Sequence, residues 1–128
     1  MAFTTQGYVA LTHWQWLGDK IRWALEPNEP RLIEDYLYAG HQLVKPDEPG
    51  CWHLTESEFH LLLESAADPN LPWHWRCLCL DHCHRPLNRL QILSSTGERR
   101  RRLSELRLRL STLRLRPSTP MTEGSCHD

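Results

Sequence analysis

The segment Pro72-Trp73-His74-Trp75-Arg76-Cys77-Leu78-Cys79-Leu80-Asp81-His82-Cys83-His84 admits two readings, and the choice between them decides the fold class. Trp73, Trp75, Cys77 and Cys79 alternate with His74, Arg76 and Leu78, a period of two that suits a half-buried strand. Trp75, Leu78, Cys79 and His82 recur instead at the steps of a helix. The boundaries favour the helix. Asn70 stands where a cap belongs, Pro72 fits a first turn whose N–H groups are unbonded anyway, and Arg85-Pro86 closes the segment. Leu87–Leu93 extends or restarts it.

On the N-terminal side, Thr12 can cap a helix running to Leu25 that places Trp14, Leu17, Ile21 and Ala24 on one face. Pro27 and Asn28 end it. A second helix starts at Asn28, with Glu29 and Pro30 in its first turn, and runs to about Leu43 with an apolar stripe of Leu32, Tyr36, Leu37, Ala39 and Leu43. Lys45–Gly50 is a loop. Cys51-Trp52-His53-Leu54 reads as extended, leading into a capping box, Thr55-Glu56-Ser57-Glu58. That box opens a third helix, Glu56–Ala67, which buries Phe59, Leu62 and Leu63.

On the C-terminal side, Ser94–Gly97 is a turn and Glu98–Arg116 is the last element. Leu103, Leu106, Leu110 and Leu113 follow a 3-4-3 spacing, an amphipathic seam. Leu108 and Leu115 fall opposite, and Leu106–Leu110 alternates with period two as a strand would. Length and the lack of β-branched residues favour a helix. The expected fold is mostly α. It is a compact domain of about four core helices (residues 1–93), an Arg/Leu-rich C-terminal helix (94–116) packed on or projecting from the core, and a disordered Ser/Thr/Pro-rich tail (117–128).

A chain of 128 residues with 40% hydrophobic and 24% charged side chains suits one globular domain and excludes wholesale disorder. No apolar run is long enough to span a membrane. Met1–Gly7 has neither a basic region nor a long apolar stretch, so a cytoplasmic location is expected. The size is one that small bacterial regulators commonly have. Neither a Gly-rich phosphate loop nor a nucleophile elbow occurs, so nothing in the chain asks for an enzyme.

The net charge of −1 is unevenly divided. Residues 1–84 carry five cations against twelve carboxylates, a balance of −7, and residues 85–116 carry ten arginines against Glu98 and Glu105, a balance of +8. Glu123 and Asp128 supply the remainder. Arg99, Arg100, Arg101, Arg102, Arg107, Arg109, Arg114 and Arg116 are all arginine, whose planar guanidinium grips phosphate bidentately and stacks on bases. Two partners fit this block: nucleic acid, or an acidic protein surface in the same or another chain.

Cys77, Cys79, His82, Cys83 and His84 crowd into eight residues. Thiolate and imidazole are zinc donors, and on a helix Cys79 and Cys83 face one way with His82 beside them. Cys51 and His53, two apart on an extended piece, would supply further donors. The opposing reading makes the cysteines small buried hydrophobes. An intracellular disulfide is disfavoured. Cys79-x-x-x-Cys83-His84 is one residue longer in its gap than a haem-attachment motif.

Leu80-Asp81-His82-Cys83-His84 also resembles the Asp-His-x-His core of HNH-type nucleases of the endonuclease VII kind. The resemblance implies that His82 activates water and that Asp81 helps hold a metal. It covers five residues. The family's flanking cysteine pairs have no counterpart, and Asn88 lies too close to be its closing residue.

All six tryptophans lie in the acidic part. Trp14 and Trp52 read as core. Trp14 and Trp16 cannot share a helix face, so Trp16 and Trp23 are candidates for contact with a protein partner. Together these features lead to a non-enzymatic regulator that contacts nucleic acid through its arginines and a protein through its acidic, Trp-bearing face. The alternatives are a pure protein-interaction module, such as an inhibitor, adaptor or homodimer, and then the metal-dependent nuclease.

Overall fold

A computed structural model describes residues 5–120. Among them the chain forms six helices and no strand: α1 (Thr5–Arg22), α2 (Arg31–Leu43), α3 (Cys51–Ala67), α4 (Trp73–His82), α5 (His84–Ile92) and α6 (Gly97–Ser111). The mostly helical expectation holds. α4 and α5 meet at Cys83, whose backbone stays helical (φ −59°, ψ −29°), so they form one broken rod. Pro86 accounts for the break, because it has no N–H for the carbonyl one turn earlier and its ring crowds that carbonyl. The ambiguous stretch from Trp73 is therefore helix, with Pro72 itself at the N-cap position in extended conformation.

α3 is the hub, packing against α1, α2, α4 and α5, while α6 lies against α5. Leu17 and Ile21 of α1, Ile33, Tyr36 and Leu37 of α2, and Phe59, Leu62 and Leu63 of α3 meet in one cluster. Trp75 is the largest fully buried side chain, and its indole donates to the Ile21 carbonyl at 2.9 Å. That bond satisfies the one polar atom that its burial removes from water.

Several boundaries differ from expectation. α1 begins at Thr5, so Thr12 sits inside the helix and caps nothing. Its end is a left-handed cap. Ala24 has φ 49°, with Leu25 N–H bonded to Lys20 O and Ala24 N–H to Ile21 O, the 6→1 and 5→2 pair that usually surrounds a glycine. α2 begins at Arg31, with Asn28–Pro30 before it.

α3 starts at Cys51 and not after an extended Cys51–Leu54. Thr55 and Glu58 therefore form no capping box. Thr55 is buried one turn in, and its hydroxyl donates to the Cys51 carbonyl at 2.7 Å.

α6 stops at Ser111, short of Arg116. The Thr112 and Ser111 hydroxyls both turn back to the Leu108 carbonyl, at 2.7 and 3.1 Å, competing with the helix for it. Beyond that point the chain is extended. Leu113 and Leu115 pack on the core while Arg114 and Arg116 face solvent, an alternation of period two. Ser118 then donates to Leu71 O at 2.7 Å and Thr119 N–H to Pro69 O at 2.7 Å. The first residues of the segment expected as a disordered tail are thus tied to the α3–α4 turn. Residues 121–128 of that expectation lie outside the described residues.

Candidate functional site

α6 opens on Thr96, whose hydroxyl oxygen accepts from Arg99 N–H at 3.1 Å, an N-cap that offsets four successive cations at the positive end of the helix. Leu103 and Leu106 are buried, so the helix lies on the core and does not project. Arg102 pins one flank. Its Nη2 and Nε donate to Glu56 Oε2 at 2.8 and 3.2 Å, and its Nη1 to Glu105 at 3.0 Å. Burial works to raise the Glu56 carboxyl, but hydrogen bonds from Arg102, His60 and Trp52 outweigh it and hold the group at about 2.

The other arginines are used differently. Arg99 donates to the Leu93 carbonyl at 3.0 Å and lies over the Trp52 ring at 5.2 Å. Arg107 donates to Gln91, and Arg109 meets His60 Nδ1 at 3.3 Å. The side chains of Arg100, Arg101, Arg114 and Arg116 have no hydrogen bond or ion pair among the described residues. Of the eight arginines from 99 to 116, Arg102 alone forms an ion pair within the described chain.

Helical geometry sorts the exposed ones. Arg100 and Arg107, seven apart, share the flank toward α5, and Arg101 stands with Leu108 on the outermost face. Leu108 is 63% exposed there, so its apolar side chain has no cover. On the other flank Arg109 and Arg114 line a groove of about 350 Å³ with Leu63, Glu64 and Leu113.

The cysteine–histidine residues are placed differently from the expected zinc arrangement. Cys79 and Cys83 are buried in the core cluster, His82 is half-buried, and Asp81 and His84 are exposed. Because α3 already includes them, Cys51 points inward and His53 outward, and the two do not face one side. No group of three or more His, Cys, Asp or Glu side chains among the described residues is gathered around a point where a metal ion could sit. Burial, then the neighbouring Cys83, pushes the Cys79 thiol up to about 12, and burial does the same to Cys83. Burial, followed by Arg85, lowers the His82 imidazole.

Trp16 and Trp23 are 52% and 58% exposed, each with a cation over its ring, Lys20 at 4.2 Å and Arg22 at 4.5 Å. Trp14 is half-buried, stacked on Tyr36 at 5.4 Å, and its indole donates to Glu58 Oε2 at 3.1 Å. The carboxylate receiving that bond went unnoticed in the sequence because Thr55–Glu58 has the pattern of a cap. The signal that could have exposed it was the amphipathic phase of α3, which puts Glu58 beside Phe59 and Leu62 on the inward face.

No family model matches the chain, and no curated protein or solved structure is significantly similar to it.

Proposed function

We propose that the protein is a non-enzymatic regulator that binds nucleic acid through the arginines of α6 and the extended segment after it. The observation that carries this reading is the imbalance of pairing. Eight arginines lie between residues 99 and 116, and a single one, Arg102, meets a carboxylate among the described residues. Had the block served mainly to neutralise the acidic helices, Glu64 and the exposed carboxylates of α1 and α2 would be occupied by it. Arg102 holds the helix in place, while Arg100, Arg101 and Arg107 remain available to phosphate oxygens and Leu108 to a base or sugar. The exposed Trp16 on α1 and Trp23 in the turn after it would serve a protein partner, as large amphipathic anchors do.

The test is a salt-titrated binding assay with labelled duplex DNA and with single-stranded RNA. Engagement of about three to six phosphates gives a slope of log K against log salt of about −3 to −5. Changing Arg100, Arg101 and Arg107 together to Ser reduces the magnitude of that slope by about 3 and leaves the fold intact. Negligible affinity at low salt, or affinity without a salt slope, refutes the reading. An acidic protein captured in its place would establish the protein-interaction module.

A further inference from the structure

A second cleft lies away from α6, where α2, α3 and α5 meet. Its outer part, about 440 Å³, is a groove lined by Asp35, Leu37, Tyr38, His41, Gln42 and Arg85, with Arg85 held to Glu34 at 2.7 Å. Leu37, His41 and Arg85 also line a small recess of about 20 Å³ at its inner end, closed by Glu58, Pro86 and Arg89. That recess has room for about one oxygen atom with its hydrogens.

One hydrogen-bond donor at the recess lacks an acceptor. Arg89 Nη2 donates to the Val44 carbonyl at 3.0 Å, but Arg89 Nη1 is buried and meets no acceptor among the described residues. Glu58 is 1% exposed, and its Oε2 takes the Trp14 indole N–H, so its proton belongs on Oε1. Burial raises this carboxyl to about 8 against the opposing pull of Trp14, Arg89 and Arg85, which favours its neutral O–H form near pH 7. Burial, Arg89 and Arg85 likewise lower His41 and favour its neutral form. Arg89 itself is half-buried, but its Nη1 is a buried cationic donor facing a recess whose other polar groups favour their neutral forms, and leaving such a donor without an acceptor costs free energy.

We propose that this cleft binds a small organic carboxylate, one oxygen of which enters the recess and accepts from Arg89 Nη1 and Glu58, while its body lies in the groove against Leu37 and Tyr38. A single negative charge suits the site, because Glu34 and Asp35 at the groove would repel a dianion such as phosphate. The 67% exposed Tyr38 supplies an apolar face for a ring or alkyl body. The proposal is independent of nucleic-acid binding.

The test uses the full ¹⁵N-labelled chain and follows the Trp14 indole N–H resonance during titration with benzoate and with acetate. A saturable shift is expected, with benzoate binding several-fold tighter. Arg89→Gln weakens both by about tenfold or more. Glu58→Gln, whose amide still donates, stays within about threefold of wild type. Tyr38→Ala weakens benzoate and leaves acetate unchanged. Arg100→Ser with Arg107→Ser leaves both unchanged, which separates this site from the arginine face. A shift that fails to saturate, or survives Arg89→Gln, overturns the proposal. So does a benzoate-soaked structure with water alone in the recess. Should Arg89→Gln unfold the protein, unchanged benzoate affinity in Tyr38→Ala is enough to overturn it.

Discussion

Replacing Glu58 by glutamine should remove a pH dependence of stability that the wild-type chain carries between pH 4.5 and 8. The unfolded chain releases the Glu58 proton near 4.5, whereas burial in the fold keeps it bound to about 8. Across that interval the folded protein holds more protons than the unfolded one, so stability falls as pH rises. At about 1.4 kcal/mol per pH unit, the loss is about 3 kcal/mol by pH 7 and approaches 5 kcal/mol at pH 8. Below 4.5 both states are protonated and the group costs nothing. The substituted amide is neutral throughout, and its carbonyl can still accept from Trp14. Burial-lowered His41 and His82 act with the opposite sign below about 6.5, favouring the fold as pH rises. They are common to both proteins and cancel in the difference. Urea unfolding of the two proteins at half-unit steps from pH 5 to 8 measures it. The variant should gain on wild type by about 1 kcal/mol per pH unit. A difference that stays constant across the range would show that Glu58 ionises in the fold as it does in water, and would refute the argument from burial.

Ala24→Gly should raise stability by about 0.5–1 kcal/mol, measured by urea unfolding, because the left-handed backbone at φ 49° strains a residue with a Cβ. Gly40→Ala should act in the other direction, by about 2 kcal/mol or more, since a Cβ there collides with Glu58 Oε2 and presses on Leu54. Arg102→Ala should return the Glu56 carboxyl from about 2 toward its ordinary value in an NMR titration. The stability tied to that depressed group is present above about 4.5 and lost as pH falls toward 2, so the variant should also lose its share of acid sensitivity. Iodoacetamide at pH 8 should reach Cys79 and Cys83 only after urea is added, their thiols being buried and raised to about 12.

Where a local pattern and the buried face agreed, the sequence was legible. The leucines at 103 and 106 face the core as their spacing implies, and the stripe of α2 at Leu32, Tyr36 and Leu37 is buried. Failures came where a real local signal was overridden by packing. Thr55–Glu58 has the composition of a cap, but Cys51 is fully buried one turn earlier and the helix reaches back to take it in. Glu58 could then be read neither as buried nor as the floor of a cleft. Its environment is built by Trp14 and Gly40, far away in the sequence. The end of α6 failed for a related reason. The leucine spacing continues to Leu113, but hydroxyls at Ser111 and Thr112 divert the backbone, and Leu113 and Leu115 reach the core from extended chain.

The near-zero net charge raised the prospect that the two parts of the chain simply neutralise each other. The described structure joins them by two ion pairs only, Arg85 with Glu34 and Arg102 with Glu56. Two cations of the acidic part are satisfied locally or within it, Lys20 by Glu26 and Arg22 by Asp68. The remaining arginines are spread along a helix already fixed on the core, and surface charges separated by more than about 8 Å interact little at physiological salt. Both consequences favour the same partner. A polyanion reaching α6 has no ion pair among the described residues to break at Arg100, Arg101 or Arg107, and no turn of α6 to order before contact, since Leu103 and Leu106 have already fixed the helix. In the proposed function binding would draw on counterion release with little reorganisation, so its salt dependence, more than its affinity, is the quantity that distinguishes this face from an ordinary solvated helix.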